Sequence, residues 1–426
     1  MKVLLISANT ERINMPVLPL GLACVAEAVQ KVGHDVKLLN LMTEQDAREV
    51  LRETIKQFEP EVIGISVRNI DDQSMENPRF LLEPVQQFVD DCRKLSQAPV
   101  VLGGAGYSIY PQSALDFLGA DMGIQGEGEK AFATLLECLS RQDEPSNVPG
   151  LHIRGRGLQT KTSPVRHLDE FPLPMPDAHG WLPSGTREQK IWVPFQTRRG
   201  CPMDCSYCST ATIEGRNLRS RSPDAVVEAL ARYVEAGFKR FIFVDNTFNL
   251  PPSYAKSLCD RLAASGLKIS WNCIVYPWKV DEELVEKMAG AGCRGISLGS
   301  ESGSHPMLKA FNKKFEPEDV RRISDLFKRY DIQRMGFLLL GGPGENKETV
   351  LESLEFTDAL NLDTVKVTMG IRIYPYTALA QTAAKEKIIA PNDNLLFPTF
   401  YMAKGLKNWL RKTIRDWMAD RPHWVT

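Results

Sequence analysis

The stretch TRRGCPMDCSYCST, residues 197–210, holds Cys201, Cys205 and Cys208 at CxxxCxxC spacing. Three thiolates in one loop can surround a metal, but a closed tetrahedral zinc site takes four ligands, so a fourth would have to come from afar. Thiolate-rich loops also suit iron–sulfur clusters, which usually take four cysteines. A cube with three protein thiolates leaves one iron open to a substrate or cofactor. A disulfide does not fit, because the nine cysteines are an odd number in a chain without a secretory signal. Nor does a core strand, because Arg198, Arg199, Gly200, Pro202 and Asp204 make the segment a polar turn.

The loop directly follows WVPFQT (192–197), the first of six strand-like runs. The others are RFIFVD (240–245), KISWNCI (268–274), GISLGS (295–300), RMGFLLL (334–340) and TVKVTMG (364–370). Ser222-Pro223-Asp224 reads as an N-cap with proline at the first helical position. Helices end at Gly237, Gly266 and Gly292, each shortly before a strand. This alternation over 191–372 predicts a partial (β/α)6 barrel, although periodicity alone does not separate it from a flat sheet. Barrels place their chemistry at strand C-termini, where the cysteines lie.

Residues 1–145 show a second βα series, with strands KVLLIS (2–7), DVKLLNL (35–41), EVIGISV (61–67), PVVLGG (99–104) and ADMGIQG (120–126). Leu81, Val85, Phe88, Cys92 and Leu95 form one helical stripe, and Gly33 caps the first helix. Continuous apolar strands alternating with helices imply a doubly wound parallel sheet. Such sheets bind ligands outside their strand C-termini, at the switch point. With order 2-1-3-4-5, that edge collects Ser7, Ala8, Asn9, Ser66, Val67, Arg68, Gly103, Gly104, Gly126, Glu127 and Gly128. Small residues there let a bulky ligand approach the backbone, while each glycine taken singly is ordinary loop punctuation. No GxGxxG follows the first strand, which argues against dinucleotide binding.

Between these units, Pro145, Pro149, Pro164, Pro172, Pro174, Pro176 and Pro183 mark a linker over 146–190, with room for a hairpin around HIRGRGLQTK. The 373–426 region is expected to be short and helical. There Leu406, Leu410, Ile414 and Trp417 share one face, with Lys407, Arg411, Lys412 and Arg415 largely off it. It reads as a docking helix rather than a nucleic-acid or membrane surface.

The 426 residues carry 52 Lys+Arg against 53 Asp+Glu, so net charge provides no drive toward nucleic acid or membrane. Composition is 43% hydrophobic and 25% charged, fitting a globular protein of two or three domains. No run approaches a membrane span, and MKVLLISAN is too short for a signal peptide. A cytoplasmic location with reduced thiols is expected.

CxxxCxxC with an aromatic residue, Tyr207, before the last cysteine resembles the radical S-adenosylmethionine superfamily. Matching elements follow in order: Asp245-Asn246-Thr247-Phe248 at the second strand end, LGSESGS (298–304) and GFLLLGGPGE (336–345). The resemblance implies that Cys201, Cys205 and Cys208 hold a 4Fe–4S cluster whose open iron chelates S-adenosylmethionine. It further implies that Tyr207 lines the adenine pocket and that Ser300 and Glu301 face the ribose and methionyl end. Gly342 lies on the strand that meets the adenine. The alternative for Glu301 is an ion pair with a neighbouring Lys or Arg.

LPLGLACVAEAVQKVGHDVKLLNL, VIGISV, VVLGGAGYSIYP and GIQGEGE resemble the cobalamin-binding domain of cobalamin-dependent radical S-adenosylmethionine enzymes. This makes Asn9, Ser66, Arg68, Gly103, Gly104, Gly126 and Glu127 its candidate cobalamin contacts. The loop after the first strand, ANTERINMP, lacks the D-x-H-x-x-G histidine of cobalamin mutases, so a displaced base with no histidine on cobalt is expected. Methylthiotransferases place three cluster cysteines in their first domain. Cys24, Cys92 and Cys138 fall inside predicted helices here and read as buried structural thiols.

The family likeness implies a methyltransferase acting on an unactivated carbon of a small molecule. One S-adenosylmethionine would methylate the cobalamin and another would yield a deoxyadenosyl radical, with electrons from a donor such as flavodoxin or ferredoxin. The alternatives are a ring-forming cyclase like the anaerobic magnesium-protoporphyrin ester cyclase, or a non-catalytic cobalamin or redox sensor. Specificity is expected in the linker and in 371–403, including Tyr374, Tyr376 and Tyr401. No residue is assigned as acid or base.

Overall fold

The structure, a computed structural model, describes residues 1–10, 18–171, 173–176, 180–182 and 192–426. Pro172, Pro183 and the 11–16 part of ANTERINMP therefore lie outside the described residues. In the first sheet β1 (Lys2–Ser7), β2 (Asp35–Asn40), β3 (Val62–Ser66), β4 (Val100–Gly103) and β5 (Met122–Ile124) pair in parallel. Their order is β2-β1-β3-β4-β5, the order expected from sequence. Val3, Leu4, Leu5 and Ile6 are all buried, as they must be where helices cover both faces of a sheet. The stripe on helix Leu82–Leu95 buries Val85, Phe88 and Cys92, while Leu81, just before the helix, is half-buried and Leu95 at its end is exposed.

A hairpin of β6 (Leu151–Ile153) and β7 (Gly157–Leu158) adds antiparallel to β5. The HIRGRGLQTK segment thus extends the first sheet and is not free linker.

The second sheet begins with β8 (Val193–Phe195). A small ribbon follows, β9 (Arg198–Arg199) against β10 (Arg219–Ser220). Then come β11 (Arg240–Phe243), β12 (Ser270–Val275), β13 (Cys293–Glu301), β14 (Gln333–Leu340) and β15 (Thr364–Met369). A second ribbon, β16 (Ile371–Arg372) with β17 (Phe400–Tyr401), precedes the terminal strand β18 (Trp424–Val425). The sheet runs β18-β15-β14-β13-β12-β11-β8, all parallel. It holds the six expected strands plus β18, so the 373–426 region is not purely helical. Two residues with no alternating pattern carry no strand signal by themselves; Trp424 is buried by its place beside β15. Among the described residues β8 and β18 do not pair, so the sheet is open.

The docking helix is Lys407–Met418, with Leu410 and Ile414 buried and Arg411 paired to Glu76 of the first domain at 2.5 Å. Beside it the buried Arg372 meets the equally buried Asp71 at 2.7 Å. Arg372 also donates to the carbonyls of Ile373 and Leu395, both at 2.8 Å. Phe397 packs against Phe80, the rings tilted by 38° with centroids 4.6 Å apart. The C-terminal region therefore straps the two sheets together.

Candidate active site between the two sheets

The cysteine loop is held by backbone as much as by side chains. Asp245, buried at the end of the second-sheet strand β11, accepts from the N–H groups of Thr197 (2.8 Å) and Arg198 (2.9 Å) and from the Thr197 hydroxyl (2.5 Å). Arg198 threads between the rings of Phe248 and Tyr254 and donates to the carbonyls of Leu250 and Phe248. Arg198 and Arg199 are therefore buried and paired, where the sequence suggested a polar turn and no core strand. Asp245 anchors the strand that leads into the cysteines. Gly200 follows with φ 91°, and a Cβ there would sit 2.2 Å from the Asn217 carbonyl, so only glycine turns the chain into Cys201.

All nine cysteines are unpaired. Cys201 is buried, Cys205 half-buried and Cys208 exposed, so one side of the loop is open. Burial pushes the Cys201 thiol up to about 11, and each of the other two thiols adds to it through its charge. Among the described residues no three His, Cys, Asp or Glu groups converge on one point as a single metal ion needs. The loop nevertheless offers three thiols, one of them exposed. A 4Fe–4S cluster fits this donor set.

Tyr207 and Glu301 meet through Lys313, and Tyr207 and Gly342 both lie against Phe311. The strand β13 loses register with β14 between Leu298 and Glu301, and Glu301 sits at φ 61°. Such a bulge re-aims a side chain at the strand end. It delivers Glu301 to Lys313, whose ammonium lies 3.3 Å from the Glu301 carboxylate and 2.9 Å from the Tyr207 hydroxyl. The ion pair raised as the alternative for Glu301 is thus formed. Lys313 was missed from sequence; its signal is FNKKF, two cations between phenylalanines just beyond the fourth strand. Burial and the Glu301 charge hold the Tyr207 phenol well above its ordinary value. Burial works against the Lys313 ammonium, but the Glu301 and Tyr207 partners outweigh it and hold its pKa well above normal.

Ser300 is buried and donates to the Phe337 carbonyl at 2.9 Å, tying β13 to β14. Gly342 packs against Phe311, where a Cβ would come within 2.6 Å of the ring. Its N–H, with that of Gly341, is accepted by Glu345. Burial raises the Glu345 carboxyl to about 7, because the two backbone donors offset only part of the desolvation.

At the carboxyl edge of the first sheet lies a cavity of about 330 Å³, within the ordinary range for small-molecule sites. Ser66, Arg68, Gly103, Gly104, Gly126 and Glu127 all line it. Asn9 instead borders a smaller hollow that shares Arg68. A Cβ on Gly103 would have no atom closer than 4.0 Å, so the strand end faces open space. Gly104 is at φ 98°, and a Cβ there would meet the Val67 carbonyl at 2.6 Å. A bulky group can therefore lie against backbone here, and cobalamin fits this cradle. Cys24 and Cys92 are buried as expected, whereas Cys138 is only half-buried.

The cavity's other wall is the second domain: Gln196, Arg199, Glu214 and Val244. The helix Ala105–Ile109, directly after Gly104, packs on Thr210–Glu214, directly after the cysteines. Arg199 pairs with the buried Glu129 of the first domain. Desolvation alone would raise the Glu129 carboxyl, but Arg199 holds it below its usual value. Glu127 accepts from Arg219 at 2.5 Å and from the Val165 N–H at 2.7 Å, so its carboxylate clasps the domains as well as lining the cavity. Glu214 accepts from the Gly200 N–H at 2.9 Å and from Asn246 at 2.6 Å, joining the cysteine loop to the cavity wall. Glu127 was expected at the cavity, but Glu129, Arg219 and Glu214 were not singled out from sequence, because an ion pair between distant segments leaves no local pattern.

Tyr374 lies beside Tyr110 and Arg372, Tyr401 donates to Glu386 at 2.7 Å, and Tyr376 is 85% exposed. No helix among the described residues is long and apolar enough to cross a membrane.

Residues 196–357 match the Radical SAM superfamily, and residues 6–136 match the B12 binding domain. With both domains on one chain, the protein belongs to the cobalamin-dependent radical S-adenosylmethionine enzymes. Its cofactors are a 4Fe–4S cluster, S-adenosylmethionine and cobalamin. An uncharacterized methyltransferase of Pyrococcus horikoshii is 27% identical, covering 97% of this chain and 90% of its own. The tryptophan 2-C-methyltransferase of Streptomyces laurentii is 26% identical, over 89% of this chain and 74% of its own. In fold, the chain resembles the radical S-adenosylmethionine methyltransferase TsrM of Kitasatospora setae, solved with tryptophan and a S-adenosylmethionine analogue. The TM-score is 0.88 at 22% identity, over 99% of this chain and 90% of that one.

Proposed function

We propose that the protein transfers a methyl group from S-adenosylmethionine to a carbon atom of a small-molecule substrate. The observation that carries this reading is the shared wall: the glycine-edged cavity and the cysteine loop meet through Gln196, Arg199 and Glu214. When bound, the cluster supplies an electron to S-adenosylmethionine and cobalamin carries the methyl group.

The chain's own residues hold and orient. Cys201, Cys205 and Cys208 would ligate the cluster, and Asp245, Gly200 and Glu214 fix their loop. Tyr207 and Gly342 would border the adenosyl moiety, with Glu301 and Lys313 as the charged pair at its methionyl end. Ser66, Arg68, Gly103, Gly104 and Gly126 would receive cobalamin. The strapping of 371–401 onto Asp71 and Phe80 closes the far side, which supports water exclusion and a specificity role for Tyr374. An external low-potential donor such as flavodoxin or ferredoxin completes the system, and nine unpaired thiols support a reducing cytoplasm.

The test is anaerobic incubation of the reconstituted full chain with cell extract and methyl-labelled S-adenosylmethionine. Label in a small molecule, dependent on added cobalamin, is expected; deoxyadenosine formation without any methyl transfer would favour a ring-forming or other non-methylating reaction.

A further inference from the structure

The loop after the fourth strand of the second domain places one buried cation beside the cysteines, and nothing in the ligation itself requires it. Lys313 has a side chain only 3% exposed. Its Nζ donates to the Tyr207 hydroxyl at 2.9 Å and lies 5.2 Å from the Tyr207 ring centroid, 5.6 Å from that of Tyr276 and 6.0 Å from that of Phe315. Glu301 is 3.3 Å away on the other side. Tyr207 stands between Cys205 and Cys208 in the chain, so this aromatic cage is part of the cysteine loop.

We propose that Lys313 sets the reduction potential of the iron–sulfur cluster, raising it by holding an ammonium charge in a low-dielectric cage against the loop. A positive charge stabilises the more negative, reduced core, and burial strengthens that effect. Glu301 opposes it, yet the geometry is unequal. The Lys313 ammonium hydrogen-bonds the cysteine loop directly, through the Tyr207 hydroxyl at 2.9 Å, whereas Glu301 contacts that ammonium at 3.3 Å. The couple is a one-electron one: the oxidised core takes one electron from an external low-potential donor, and no protein bond forms or breaks. Tyr207 acts as a positioning residue, its hydroxyl and ring holding the ammonium against the loop.

This rests on the reading that the three cysteines hold a cluster, which the iron content of the wild type checks separately. The experiment is a redox titration of the reconstituted full chain with dithionite, without S-adenosylmethionine, followed by electron paramagnetic resonance. Lys313→Met is expected to lower the reduced-to-oxidised ratio at fixed potential about tenfold, a shift of ~59 mV for one electron. Lys313→Arg should restore most of it, which a purely structural role would not. Wild-type titration of Lys313→Met overturns the proposal. Should that variant not hold iron, Glu301→Gln decides: a shift of similar size in the opposite direction is required, and an unmoved potential overturns it.

Discussion

The cavity of the first domain and the cysteine loop of the second are built by opposite means. The cavity is a matter of missing side chains. Gly103 leaves open space, Gly104 takes a backbone conformation closed to other residues, and strands of Val, Leu and Ile supply the walls. The loop is a matter of buried charge: Asp245, Arg198, Arg199, Glu214, Glu301 and Lys313 each lie mostly or wholly out of solvent and are partnered. A large, mostly uncharged ligand needs shape and backbone access. A cluster that changes charge, together with a zwitterionic cosubstrate, needs fixed dipoles and ions.

This contrast predicts separable failures. Replacing Cys201, Cys205 and Cys208 together by alanine should remove iron almost completely while leaving bound cobalamin, read by metal analysis and the visible spectrum. Loss of both would mean that the two sites are one cooperative unit.

Next in size is Arg199→Met, which leaves the buried Glu129 carboxylate without its cation. Unpairing such a charge costs about 3–5 kcal/mol, measurable by urea unfolding, and Glu129→Gln in the same chain should recover much of it. No loss in the single variant would show that the clasp is only a surface contact.

Glu345→Gln probes the charge-built side through pH. In the fold Glu345 keeps its proton to about pH 7, whereas a free carboxyl releases it near 4.5. Its contribution is therefore full below about 4.5 and lost as pH rises through about 7. The glutamine variant should match the wild type at the acid end and be more stable at pH 8 by about 3 kcal/mol. Parallel stability curves would contradict this.

The smallest effect belongs to the shape-built side. Gly104→Ala forces a Cβ toward the Val67 carbonyl, and strain of this kind costs about 1–3 kcal/mol. Cobalamin retention should weaken by about one to two decades with iron unchanged, as equilibrium binding would report.

Sequence disclosed these two regions unequally. The first sheet's order and its glycine edge were legible because strand runs and glycines are local features. CxxxCxxC likewise announced its loop. Lys313, Glu129 and Glu214 were not legible, since a buried charge is recognisable only from a partner that folding brings near. Arg198 and Arg199 show the limit directly: with Gly200, Pro202 and Asp204 they suggest a polar turn and no core strand, but Asp245 and Glu129 pair them inside. The same limit hid β18, two residues whose strand character comes wholly from β15. With β18 the strand count of the expected partial barrel rises from six to seven.

The central claim is that one chain presents a cluster loop and a cobalamin cavity to each other. It is tested most directly by iron and cobalt analysis of the full chain after anaerobic reconstitution with both cofactors and removal of unbound metal. About four iron atoms and about one cobalt per chain are predicted. Cobalt without iron, or iron without cobalt, would contradict the account.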